Sequence, residues 1–140
     1  LTYGTSAVEC YLSKSDAAFP GDVDAVIVDN QNQVRFIVEY KKHNLQTPLG
    51  EHLITQYYPR PDGRKYQRLA ALANRYENVL QRSVPLVVLY YSTRQPVIRL
   101  QEIGSLGEDR ATISRDTGDI STNDRHQKEI SDFVVNWLGV

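Results

Sequence analysis

A chain of 140 residues with 41% apolar and 24% charged side chains has the size and composition of one ordinary globular domain with a core of its own. Nothing in it reads as a signal peptide, no apolar run approaches the roughly 20 residues that span a bilayer, and a single cysteine, Cys10, excludes an internal disulfide or a thiolate metal cluster, so a reducing, intracellular setting without membrane contact is expected. A start at Leu1 with no methionine reads as one domain, residues 1–140, cut from a longer protein whose other domains would be its neighbours, and the net charge of −1 gives no global sign of a polyanion partner.

In chain order, residues 5–12 read as a short helix, with Thr5 or Ser6 as N-cap and Val8, Tyr11 and Leu12 at helical spacing. Residues 22–29 (DVDAVIVD) and 34–41 (VRFIVEYK) are rich in β-branched and aromatic residues around a polar Asn30-Gln31-Asn32-Gln33, which is a hairpin signal. Residues 42–62 read mostly as loop with a helical turn over 51–57. Residues 63–81 fit the helical template, with Tyr66, Leu69, Leu72 or Ala73, Tyr76 and Leu80 on one stripe and Arg64, Lys65, Arg68 and Arg75 off it. LVVLYY after Pro85 reads as a strand covered on both faces, residues 97–103 as another strand, and 104–123 as a polar loop. A last amphipathic helix opens at Asp124 and is anchored by Trp137. The order α-β-β-α-β-β-α indicates an α/β fold, a mixed β-sheet flanked by helices.

Charge is unevenly spread. Residues 1–40 carry two basic and six acidic side chains, residues 41–82 eight and three, and residues 83–140 six and eight. Positive charge therefore follows the hairpin directly.

Centring the hairpin turn between Gln31 and Asn32 pairs Asp29 with Val34, Ile27 with Phe36, Ala25 with Val38 and Val23 with Tyr40. One face then carries Val23, Ala25, Ile27, Val34, Phe36, Val38 and Tyr40 as core. The other pairs Val26 with Ile37 and Val28 with Arg35, and ends in Asp24 against Glu39 and Asp22 against Lys41. Opposed carboxylates at roughly 5 Å repel and need a compensating cation, either Lys41 or a divalent metal. Oxygen donors without a nearby histidine or thiolate are hard ligands, suited to Mg²⁺ or Mn²⁺. Such an ion polarises a phosphoryl oxygen and lowers the pKa of a bound water, and Lys41 on the same face can steady developing charge. The histidines His43, His52 and His126 lack metal-ligand spacing and read as ordinary surface or loop residues.

At these residues the chain resembles the PD-(D/E)xK, or restriction-endonuclease-like, nuclease superfamily. The matching segments are Gly21-Asp22-Val23-Asp24-Ala25-Val26-Ile27 and Phe36-Ile37-Val38-Glu39-Tyr40-Lys41, and the Gly-x-x-Asp form is closest to the RecB-like and Holliday-junction-resolvase branches. The likeness covers roughly residues 5–91 and extends to element order. It implies a restriction-endonuclease-like core, with Asp24, Glu39 and the main-chain carbonyl of Tyr40 as metal ligands and Lys41 as the catalytic lysine. It further implies Glu9 beside the metal on the first helix and Gln67 on the second, although the tyrosine expected four residues after Gln67 is Ala71 here. The chain also departs from the pattern in lacking a Pro-Asp dipeptide and in having a short or missing strand before Asp24. The resemblance implies a Mg²⁺- or Mn²⁺-dependent nuclease, with DNA favoured over RNA as substrate and with Arg60, Arg64, Lys65, Gln67 and Arg68 on the phosphate backbone. The alternative is a catalytically silent module of the same fold that docks nucleic acid or protein within a larger protein.

Overall fold

The computed structural model describes residues 23–123 and 125–140. Glu9, Asp22 and the helix expected over residues 5–12 lie outside the described residues. Within them the chain forms β1 (Ala25–Val28), β2 (Val34–His43), a 3-10 turn (Leu49–Glu51), α1 (Ile54–Tyr57), α2 (Gly63–Leu80), β3 (Leu86–Ser92), β4 (Val97–Leu106), β5 (Ala111–Asp116), β6 (Ile120–Ser121) and α3 (Gln127–Leu138). The fold is mixed α/β. No helix among the described residues is long and apolar enough to cross a membrane.

The sheet order is β1-β2-β3-β4-β5, with β6 also pairing β4. Among the described residues only β2 and β3 run parallel, joined through α2, and every other pair is antiparallel. Both faces of the sheet are covered. On one, Ile37, Val88 and Tyr90 pack under α2 through Tyr66, Leu69 and Ala73, with Leu72, Tyr76 and Leu80 at the margin. On the other, Phe36, Val38, Val87 and Leu100 pack under α3 through Leu138, Val134 and Trp137. The continuous apolar run of β3 follows from this double coverage, because alternate side chains are buried against different helices.

Four expectations about the fold need correction. The stretch 104–123 is not a loop: β4 runs on to Leu106, and β5 and β6 pair with it. The polar outer positions of these strands hide their alternation, in which Ala111 is buried while Thr112 and Ser114 face water. β4 and β5 come close at Gly104, where a Cβ would lie 3.2 Å from Thr112 Oγ1. The segment 42–62 contributes core as well as connection, since Leu49, Leu53, Ile54 and Tyr58 are all buried.

The hairpin register holds at Ala25↔Val38, Val26↔Ile37 and Ile27↔Phe36, then shifts so that Val28 meets Val34 rather than Arg35. The cause lies in the turn. Asp29 accepts hydrogen bonds from the Gln31 and Gln33 amides through Oδ1, its own amide bonds Gln33 O, and Asn32 sits at φ 59°. That makes a three-residue loop with a left-handed residue, which brings a bulge with it. Val34 consequently packs with the α2-side cluster rather than beside Phe36. At the open end of the hairpin Val23 and Tyr40 are exposed instead of being core.

Candidate active site at the open end of the hairpin

Strand geometry brings Asp24 and Glu39 together as the alternation requires. Asp24 lies just before β1 and accepts a hydrogen bond from the Tyr40 amide through Oδ2 at 2.8 Å, which ties it across the strand end beside Glu39. Tyr40 itself pairs with Leu89 of β3, and its side chain points to solvent. Glu39 is on the α2 side of the sheet and only 1% exposed. Its Oε1 forms an ion pair with Lys65 Nζ, from the first turns of α2. Its Oε2 is buried without a hydrogen-bond partner.

Burial raises the pKa of Glu39 most; the Lys65 hydrogen bond and charge oppose this, the nearby Asp24 adds to it, and the net result is pushed up to about 7. An ionised Glu39 is therefore under-compensated by the groups around it. Beyond it, the Tyr66 hydroxyl is also buried without a partner. Its pKa is raised, chiefly by burial and then by Tyr90, Glu39, Asp62 and Asp24, so these carboxylates share one electrostatic neighbourhood.

Lys41 points to the same side but does not neutralise Glu39. Its ammonium bonds Asp62 Oδ2 at 2.9 Å and sits 4.1 Å from the centre of the Tyr57 ring. Asp62 is the N-cap residue of α2, yet its carboxylate makes no cap hydrogen bond. A capping interaction worth about 1 kcal/mol is forgone in favour of the lysine. Tyr57 is held in turn, since its hydroxyl bonds His52 Nδ1 at 2.9 Å and His52 Nε2 bonds Thr47 Oγ1 at 2.7 Å. His43 Nε2 meets the Thr47 carbonyl at 2.5 Å, and the two imidazoles lie 4.9 Å apart. The reading of His43 and His52 as scattered surface residues is thus corrected. His43 is buried, His52 half-buried, and together they brace the aromatic platform under Lys41. His126 alone is exposed, at the start of α3.

The basic residues expected to meet a phosphate backbone divide into two groups. Arg64, Gln67 and Arg68 line a shallow cleft on the outer face of α2, and Arg60 is exposed in the turn that precedes it. Gln67 reaches Tyr58 Oη at 3.4 Å from Nε2. Lys65, by contrast, is committed to Glu39. The residues that sequence reasoning missed are Tyr57, Asp62, His52 and this role of Lys65. Each comes from a segment whose position over β2 is set by long-range packing.

Among the described residues no group of three or more His, Cys, Asp or Glu side chains converges on one point. The donor set is the carboxylates of Asp24 and Glu39, both hard ligands. With one buried carboxylate oxygen lacking a partner, that set fits a hard divalent cation. No family model, curated protein or solved structure matches this chain.

Proposed function

We propose that this domain is a metal-dependent phosphodiesterase acting on nucleic acid, built on a restriction-endonuclease-like core. The observation that carries the reading is the convergence of Asp24 with a buried, under-compensated Glu39 at the open end of the hairpin, with Lys41 two residues on along the same strand. The likeness to PD-(D/E)xK nucleases at these residues supports it, as does the order hairpin, helix, parallel strand. By that likeness DNA is the favoured substrate and Mg²⁺ or Mn²⁺ the cofactor.

In this reading Asp24, Glu39 and the Tyr40 carbonyl hold the ion, with Glu9 added by the likeness. The bound ion would supply Lewis-acid polarisation of a phosphoryl oxygen and of water. Lys41, fixed by Asp62 and Tyr57, donates hydrogen bonds toward charge developing on the phosphate. Arg60, Arg64 and Arg68 face the backbone of the substrate, with Gln67 between them, giving affinity that falls steeply with salt.

The test pairs binding with cleavage. Calorimetric titration of Mn²⁺ into wild type and Asp24→Asn should give binding that the variant loses. Single-stranded, duplex and branched DNA with Mn²⁺ should be cleaved by wild type and not by Lys41→Ala. One observation favours the silent module: Lys41 and Lys65 are both already satisfied by acidic partners, as a purely structural ionic array would be. DNA binding without cleavage on every substrate would select that alternative.

A further inference from the structure

Asp24 and Glu39 place two carboxylates together, and the cation that touches the buried one is Lys65, not the motif lysine. Lys41 is held off by Asp62 and the Tyr57 ring. Lys65 differs from it in position and in exposure. It belongs to the first turns of a helix, its side chain is 44% exposed, and a four-carbon stem lets its ammonium leave Glu39 for water without moving the backbone. Glu39 has no such freedom, being 1% exposed and paired with Val88 of β3.

We propose that Lys65 is a resident counter-ion that occupies the cation's place at Glu39 and is displaced when a divalent ion binds, so that it sets the metal affinity of the domain. This rests on the metal site of the preceding reading. An ammonium and a hard divalent cation compete for the same carboxylate oxygens, and close approach of both to one carboxylate is disfavoured by like-charge repulsion. Oε2, buried without a hydrogen-bond partner, is the half of the group that the ammonium leaves unsatisfied and the foothold for the incoming ion.

Displacement has a second effect. Lys65 lies one residue from Arg64 and three from Arg68, which line the cleft on the outer face of α2. A freed Lys65 adds its charge to that helix, so metal binding and polyanion binding assist each other, as linkage requires.

The experiment is calorimetric titration of Mn²⁺ into metal-stripped wild type, Lys65→Met, Lys65→Arg and Asp24→Asn. Metal affinity depends on ligand protonation, so the titrations are run near pH ~8.5, where protons compete little for the carboxylates. Lys65→Met should bind about tenfold tighter than wild type, a difference of about 1.4 kcal/mol. Lys65→Arg, which keeps a cation there, should stay near wild type. As a second readout, titration with diamagnetic Mg²⁺ should move the Lys65 side-chain ¹⁵N resonance toward that of a solvent-exposed lysine. Affinity in Lys65→Met equal to or weaker than wild type, with Asp24→Asn still abolishing binding, overturns the counter-ion role and leaves the metal site standing. Absence of binding in wild type and Lys65→Met alike overturns both. Binding by Lys65→Met alone supports the displacement outright.

Discussion

Glu39→Gln offers the most direct physical test of the site, because it needs neither substrate nor metal. Folding moves the Glu39 pKa from 4.5 to about 7, with burial as the main cause. Between those values the folded protein holds a proton that the unfolded chain has released, so stability falls as pH rises through the window and the loss is complete above about pH 7. The shift amounts to roughly 2–3 kcal/mol once the solvent reaching the Lys65 end of the pair is allowed for. Glutamine keeps the shape and cannot ionise, so the variant avoids this cost. Urea denaturation of both proteins in the presence of a chelator, from about pH 5 to about pH 8, gives the difference between them, and other titrating groups cancel. The two should be nearly equal at the acid end, with Glu39→Gln the more stable by roughly 2–3 kcal/mol at the alkaline end. Divalent metal, which only the wild type would bind well, should then narrow the gap. A flat difference across the range, or a wild type that is more stable at the alkaline end, would refute the reasoning and mean that Lys65 more than offsets the burial.

Two further outcomes concern neighbouring groups. Tyr66→Phe removes a buried hydroxyl that has no partner while keeping the ring against α2's core, so thermal denaturation should show stability unchanged or raised by about 1 kcal/mol; a loss of that size would reveal a partner for the hydroxyl. At Asp116, burial works to raise the pKa but is outweighed by hydrogen bonds from Arg99, Gln101 and the Gly118 amide and by the Arg99 charge, so the carboxyl titrates below its usual 3.8. Its stabilisation is present above that value and lost as pH falls through the folded one. Asp116→Asn should therefore cost about 1–2 kcal/mol at neutral pH and progressively less in acid, and an undiminished cost in melts at low pH would contradict it.

Much of the architecture could be read from the chain because it is local. The stripe of Tyr66, Leu69 and Ala73 marks α2, the run after Pro85 marks β3, and alternation along residues 23–41 puts Asp24, Glu39 and Lys41 on one side of the hairpin. What alternation could not supply was the exception at the turn. Asn32 tolerates a left-handed backbone, and that choice moves Val28 and Val34 out of their regular places. Strands β5 and β6 escaped notice because each needs only a few apolar positions when β4 provides the hydrogen bonds. At the site, Tyr57, Asp62 and Lys65 lie 16 to 26 residues beyond Lys41 or Glu39. Their convergence depends on how α1 and α2 settle on the sheet, which no short-range period encodes.

The partner of Lys41 and the partner of Glu39 stand at positions 62 and 65, at the opening of one helix, while Lys41 and Glu39 themselves belong to a strand paired with β3 from Ile37 to His43. Helix ends are where native structure loosens first, and inner strands are where it loosens last. Transient unwinding of a few residues would therefore strip both ionic partners from the site while the strand stayed in place, a rearrangement that exchange of the first hydrogen-bonded helix amides, from Tyr66 onward, can time against the much slower exchange of β2.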